Sequence, residues 1–292
     1  MRIVSFLPSA TEIICDLGLE KQLLGVTFEC SWPDGVKVGR EIVVTTFVDS
    51  SLTPGEIDSF VTERYKQGVS LYKIEDEALQ KCDPDLILSQ DICGVCAVPV
   101  GDIDAAAARL KCHAEILQID PHTLDEVIAS IGTIACAAGV QERGEALMLE
   151  LRKRLSIVCK KIENLPPPSV FVLEWVDPAF NSGHWVPDII SSAGGKPLLA
   201  NSGVDSVVVT WDAIVHAAPD VVIVAPCGYG LEGAVEQAQS ILDKLPSCQV
   251  WAIDSDAVIV RPGPRLIDGV EAIAAALHGV GEIPAQIIRR VR

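Results

Sequence analysis

Positive charge, aromatic residues and the signatures of common enzyme classes are all scarce in this 292-residue chain. Lysine and arginine number 23 against 40 aspartates and glutamates, for a formal net charge of −17. A surface so acidic repels phosphate backbones and anionic lipids, which disfavours nucleic-acid and membrane-surface partners. The longest apolar stretch, residues 206–225, is interrupted by Asp212, His216, Pro219 and Asp220, so no membrane span is expected. The motifs GxSxG, HExxH and GxxxxGK followed by Ser or Thr do not occur, which removes the usual anchors of serine hydrolases, zinc peptidases and P-loop enzymes. Ten cysteines are too few for a disulfide scaffold. Cys15, Cys136 and Cys159 fall in apolar surroundings, where a thiol is expected to act as a small buried hydrophobe. Met1-Arg2-Ile3-Val4-Ser5 reads at once as a strand, without the charged and apolar regions of a secretory leader. Thiols and start together lead to the expectation of a cytoplasmic, reducing location.

What remains is ordinary globular composition, 49% hydrophobic and 22% charged, in a chain long enough for two cores. Short apolar runs at residues 2–7, 24–27, 86–90 and 115–119 predict buried strands of a first α/β lobe. Helices are expected from Ser9 and Glu12 to Gly18, from Thr53-Pro54, and from Thr123 and Glu126 to Gly139. The first and last carry capping-box spacing. From Gln141 the pattern changes. Leu147, Leu151, Leu155, Val158, Ile162 and Leu165 form the stripe of one long amphipathic helix that Pro166-Pro167-Pro168 stops. Strands at 170–175, 221–225 and 250–253 and helices at 189–193 and 267–277 then predict a second α/β lobe.

The halves share an internal match. Residues 78–88 align with 213–223 when registered on Pro84-Asp85 and Pro219-Asp220, and Asp120 and Asp254 end the next strands at nearly the same offset. The fold class expected is α/β: two pseudo-symmetric α/β lobes, residues 1–140 and 167–292, joined by one long backbone helix over 141–166. Such lobes present ligands to the carboxyl ends of their strands, here a cleft between the two halves.

Arg2-Ile3-Val4-Ser5, Pro8-Ser9-Ala10-Thr11-Glu12, Gly25-Val26-Thr27, Pro84-Asp85-Leu86-Ile87, the long helix and Arg261-Pro262-Gly263-Pro264-Arg265 carry a resemblance. Together they resemble the cobalamin and iron-siderophore binding proteins, the helical-backbone, periplasmic-binding-protein-like components of ABC importers. Glu29-Cys30-Ser31-Trp32-Pro33 and Gln90-Asp91-Ile92-Cys93-Gly94-Val95-Cys96 look like a leaderless cobalamin-binding branch. The resemblance implies a non-enzymatic carrier of cobalamin or a related corrinoid. Its partner would be a transporter or a corrinoid-trafficking protein.

Candidate contacts sit in loops after strands. Glu29, Cys30, Trp32, Asp91, Cys93 and Cys96 are expected on one wall, the cysteines as pocket lining, a metal site or a redox pair. Glu174, Trp175, His184, Trp185, Tyr229 and Arg261 are expected on the other. Tryptophan faces suit a flat corrin ring, and the His184 imidazole could ligate its cobalt axially. His113, His122, His216 and His278 are read as structural or surface groups. The same architecture could hold an iron-siderophore or haem. A different class of reading comes from Gly228-Tyr229-Gly230-Leu231-Glu232-Gly233, a GxGxxG before a helix with Asp254 downstream, the spacing of a dinucleotide-dependent oxidoreductase.

Overall fold

The computed structural model describes residues 1–49, 51–90, 98, 100–110 and 112–292. It divides into two compact units. One holds Met1–Pro121 and Ile128–Met148, the other His122–Val127 and Leu149–Arg292.

The first unit runs β1 (Ile3–Ser5), α1 (Pro8–Asp16), β2 (Leu23–Thr27), β3 (Glu41–Thr46), α2 (Pro54–Lys66), β4 (Tyr72–Ile74), α3 (Asp76–Cys82), β5 (Leu86–Gln90), α4 (Val100–Leu110) and β6 (Glu115–Ile119). Its sheet has the order β4-β3-β2-β1-β5-β6, parallel except for β4 at one edge. Central strands of a parallel sheet are covered on both faces, which is why β1 and β5 are apolar runs without alternation. Val4, Phe6, Val43, Val44 and Ile87 pack with Leu79, Ile103 and Ala106 of the flanking helices.

Two helices cross the division between units: α5 (Leu124–Ala137) and α6 (Gln141–Ile162). The 22 residues of α6 make a rod of about 33 Å. Its stripe is buried at Leu151 and Val158, whereas Leu149 is 71% exposed. Arg154 of α6 reaches the Asp268 and Glu271 carboxylates at 2.6 Å each.

The second unit continues with β7 (Ser169–Leu173), β8 (Trp175–Val176), β9 (Ala179–Phe180), α7 (Val186–Ser192), β10 (Lys196–Pro197), α8 (Trp211–Ala217) and β11 (Val221–Val224). It closes with α9 (Leu231–Ser240), β12 (Gln249–Ile253), α10 (Ser255–Val258), α11 (Leu266–His278) and β13 (Ile288–Arg290). Its main sheet is β10-β7-β11-β12-β13, with only β13 antiparallel. Phe171, Leu173, Val222, Val224, Val250 and Ala252 pack against Leu231, Ala234 and Ala238 of α9.

The internal match is realised down to backbone detail. Each of α3 and α8 ends in a left-handed residue before proline, Asp83 at φ 42° and Ala218 at φ 47°. The aspartate that follows then clamps the start of the first strand of its unit. Asp85 accepts from the Arg2 N–H at 2.7 Å, and Asp220 from the Ser169 N–H at 2.8 Å. Both aspartate N–H groups donate back, to the Arg2 and Ser169 carbonyls at 2.9 and 3.0 Å. The Arg2 guanidinium on Asp85 and the Ser169 hydroxyl on Asp220, each aided by the backbone N–H of the same residue, hold both carboxyl groups below the usual carboxylate range, Asp85 at about 2.

Helix starts follow the sequence reading with one correction. Thr53 and Glu56 form a reciprocal capping box, and Thr123 and Glu126 another. At α1 the expected Ser9–Glu12 box does not form. Pro8 occupies the first helical position, where its fixed φ starts the helix without a side-chain cap. Ser9 and Glu12 are then carried into the interior, 2% and 1% exposed. A second correction concerns thiols: Cys15 is buried as expected, with its pKa pushed up by burial to about 11, but Cys136 and Cys159 lie on exposed helix faces. Among the described residues no helix is long and apolar enough to cross a membrane.

Candidate functional site

In the second unit the chain leaves the carboxyl end of β7 at Glu174 and enters the β8–β9 hairpin. The Glu174 N–H donates to the Phe180 carbonyl, and its carbonyl accepts from the Cys227 N–H, both at 3.1 Å. The second bond stitches this strand end to the loop after β11. The Glu174 carboxyl group accepts from the Ser206 hydroxyl and the Gly183 N–H. Both bonds favour the ionised form, but loss of solvent outweighs them and raises the pKa to about 7.

The loop 181–185 and the segment 199–209 are locked together around this carboxyl group. Asn181 exchanges bonds with Val207, donating its N–H to the carbonyl at 3.0 Å and accepting the Val207 N–H on Oδ1 at 2.6 Å. The His184 N–H donates to the Val204 carbonyl at 2.6 Å. Gly183 is required by this close approach, because a Cβ there would lie 2.4 Å from the Val204 oxygen and 2.5 Å from the Ser206 nitrogen. Gly183→Ala is therefore expected to cost about 1–3 kcal/mol through overpacking, read as a lower melting temperature. By withdrawing its N–H from Glu174, it should also raise that carboxyl's pKa further.

His184 sits at φ 49° with its ring 6.0 Å from that of His122, stacked at 22°, and 5.6 Å from Trp185. Its Nε2 is buried, 3.3 Å from an Asp205 carboxylate oxygen. Axial ligation through Nε2 would require the ring to turn out of this position. His122, read from sequence as a structural or surface group, is part of the same stack. Trp185 is a core residue, 6% exposed, with its indole N–H given to the Ile259 carbonyl at 2.7 Å. Trp175 is partly exposed, and its ring lies 5.9 Å from that of Tyr229, tilted by 58°. Burial raises the Tyr229 hydroxyl pKa. Arg261 is 8% exposed and bonds the Asp256 carboxylate, whose own N–H donates to the Tyr229 carbonyl at 3.2 Å. Arg261 thus supports the Tyr229 loop through Asp256.

The glycine-rich loop has a packing explanation. Gly228 adopts φ +79°, and Gly230 caps α9. A Cβ on Gly233 would come within 2.7 Å of the Tyr229 ring, so glycine lets that ring lie on the helix. Glu232 is paired with Arg289 at 2.7 Å, and the Asp254 carboxylate caps α10 by accepting from the Ala257 N–H at 3.0 Å. Asp254, the acid that a dinucleotide reading assigns to the ribose, is thereby committed to the α10 cap.

In the first unit the Cys30 thiol is 1% exposed, with its sulfur 3.1 Å from the Thr11 hydroxyl and 3.3 Å from that of Thr27. Glu29 is exposed, and its N–H donates to the Thr27 hydroxyl at 3.2 Å. Trp32 is 39% exposed. Asp91, Cys93 and Cys96 lie outside the described residues. The sequence reading missed a buried polar set at the same strand ends: Ser5, Ser9, Thr11, Glu12, Thr27 and Ser89. Its only signal was the density of small polar residues directly after β1. Among the described residues no three His, Cys, Asp or Glu side chains are grouped to hold a metal ion.

Two lobes of mostly parallel sheet, each offering loops at its strand carboxyl ends, define a solute-binding protein of the two-lobed α/β class. The chain matches the family model described as periplasmic binding protein over residues 3–253, and it belongs to that family. It is similar to the vitamin B12-binding protein of Vibrio cholerae, 23% identical, with 94% of this chain and 88% of the relative covered. It is likewise similar to an uncharacterized ABC transporter substrate-binding lipoprotein of Bacillus subtilis, 24% identical, with 95% and 80% covered. Among solved structures, a periplasmic heme binding protein from Pseudomonas aeruginosa superposes with a TM-score of 0.74 at 17% identity, covering 99% of this chain and 97% of that one. The periplasmic vitamin B12 binding protein of Vibrio cholerae gives 0.65 at 22% identity, covering 94% and 96%. The chain is accordingly a substrate-binding protein of the ABC-transporter type rather than an enzyme, which sets aside the oxidoreductase reading.

Proposed function

We propose that this protein binds a corrinoid, cobalamin or a close relative, through the loops at the carboxyl ends of its strands. The observation that carries the reading is the Trp175–Tyr229 pair beside Glu174. Two partly exposed rings, tilted against each other, offer apolar contact to a macrocycle and its substituents. Alignment with vitamin B12-binding relatives along 94% of the chain supports the same reading. Glu29 and Trp32 are the exposed candidates of the first unit, and Cys30 backs them. The receiving partner is an ABC-type transporter or a corrinoid-trafficking protein. The exposed thiols of Cys136, Cys159 and Cys227 suit a reducing compartment, the basis for proposing a cytoplasmic site of action.

Haem is the second reading, supported by superposition on a heme-binding neighbour at a TM-score of 0.74. Titration calorimetry with hydroxocobalamin and with haemin, on one preparation, separates the two. Saturable binding of hydroxocobalamin at about micromolar Kd or tighter, at least about tenfold tighter than haemin, is the expected result. The reverse order favours haem, and heat from neither ligand removes both readings.

A further inference from the structure

The second unit carries a cleft of about 510 Å³ at the amino ends of β11 and β12, the far end of these strands from Tyr229. Pro219 and Pro246 give it apolar sides, and Ser247, Gln249, Arg290 and Arg292 supply its polar groups. Its size falls within the range of about 300–1,000 Å³ usual for small-molecule sites.

The lining is rich in unspent donors. Arg292 donates to the carbonyls of Cys248 and Leu242, at 3.1 Å each, and to that of Pro246. These bonds close the loop before β12 but bring no carboxylate to the charge. The Arg290 Nε donates to the Arg292 carbonyl at 3.0 Å, which anchors the guanidinium. Both of its Nη nitrogens are left without an acceptor among the described residues. The Gln249 Oε1 accepts from the Trp251 indole at 3.4 Å, so its amide N–H groups remain to donate, as does the Ser247 hydroxyl. Asp220 is the one acid of the lining, and its carboxylate already takes the Ser169 N–H and hydroxyl at 2.8 and 2.7 Å.

Charge points the same way. The chain has a net charge of −17, and Arg2, Arg109, Arg152, Arg154, Arg261 and Arg289 each meet a carboxylate. Arg290 and Arg292 share a cleft with no aspartate or glutamate in ion-pair reach among the described residues. An edge of guanidinium presents two parallel N–H groups to an oxyanion. A carboxylate offers two oxygens, which that edge alone satisfies. A phosphate monoester offers three, enough for the guanidinium, the hydroxyl and the amide together.

We infer that this cleft binds a small organic phosphate, with Arg290, Ser247 and Gln249 on the phosphate group and the organic part against Pro219 and Pro246. The site lies away from the loops assigned to cargo, so it stands or falls apart from corrinoid binding. Titration calorimetry with phenyl phosphate in about 0.15 M salt is the test, with saturable binding at a Kd of about 0.1 mM or tighter expected. Arg290→Gln should weaken it about tenfold or more. Arg289→Gln removes the same charge one position away, from a residue already paired with Glu232, and should change it less than about twofold. Arg290→Lys keeps the charge without the planar fork and should lose about threefold or more. Ser247→Ala, at an exposed position, gives a second reading with a smaller loss. Circular dichroism and melting temperature establish that each variant is folded. Equal effects at Arg289 and Arg290, or no saturable binding, overturn the site. Benzoate binding as tightly as phenyl phosphate overturns the phosphate class, and inorganic phosphate doing so overturns the organic part. Displacement of phenyl phosphate by hydroxocobalamin overturns the separation from cargo. Absence of corrinoid binding, with phenyl phosphate still held through Arg290, removes the cargo reading and supports this site.

Discussion

Glu174→Gln is expected to make the protein more stable at pH 8, not less. The Glu174 carboxyl group titrates at about 7 in the fold against an ordinary glutamate value of 4.5. Below pH 4.5 it is protonated in the folded and unfolded chain alike and stability is unaffected. Between 4.5 and 7 the unfolded chain releases the proton while the folded protein retains it, so stability falls as pH rises. Above 7 the loss is complete and constant, as much as about 3 kcal/mol. Glutamine never ionises, and its amide oxygen can still accept from Ser206 and Gly183. Melting curves from pH 4 to 9 should show the two proteins converging at the acid end. They should separate on the order of 5–10 °C at pH 8, with the variant higher. Parallel curves, or a variant that melts lower throughout, would overturn this account of the carboxyl group.

Trp185→Ala and Trp175→Ala are expected to fail in opposite ways, although both residues follow strand ends and read alike in the sequence. Trp185 fills the core and gives its indole N–H to Ile259. Truncation leaves a cavity and an unpaired buried carbonyl, at a cost of about 3–5 kcal/mol in stability. Trp185→Phe should recover most of the packing but not the hydrogen bond. Trp175 is partly exposed in the β8–β9 hairpin, so Trp175→Ala should barely move the melting temperature. Its loss should instead appear in ligand affinity, on the order of 30-fold for about 2 kcal/mol of contact. Thermal melts and calorimetry on the pair separate the roles. A Trp175→Ala protein that melts far below wild type would assign that residue to the core as well.

Much of the architecture was legible because buried parallel strands and long amphipathic helices leave strong one-dimensional patterns. The apolar runs that became β5, β6, β11 and β12 fall where expected, as does α6, apart from a last turn released at Ile162. The repeat around Pro84-Asp85 and Pro219-Asp220 was visible because the same left-handed turn needs the same residues twice. Edge strands were not legible: β4 and β10 have three and two residues, half-exposed, and exist through hydrogen bonds to a neighbour rather than through periodicity. Within the site, loop positions after strands pointed to Glu174, Trp175 and Tyr229, the last two now with rings 5.9 Å apart. The bridge between Phe180 and Val208 carried no signal, since it joins residues 28 positions apart and nothing local in the sequence encodes it. The direction of each tryptophan was equally hidden, because burial depends on packing from α7 and the loop before α11, far along the chain.

The duplicated aspartate clamp divides each lobe into a part that assembles and a part that recognises. Asp85 and Asp220 fasten strand beginnings with the same atoms, and each does so next to a residue locked in the left-handed region. The opposite ends of those strands have no residue in common: Ser5 and Phe6 in one lobe, Glu174 and Trp175 in the other. Under the proposed function, the residues that fasten these strands lie at the ends opposite those assigned to cargo. A change of cargo can be written into the outlet loops of either lobe alone, with the two halves drifting independently while their shared foundation stays as it was first laid down.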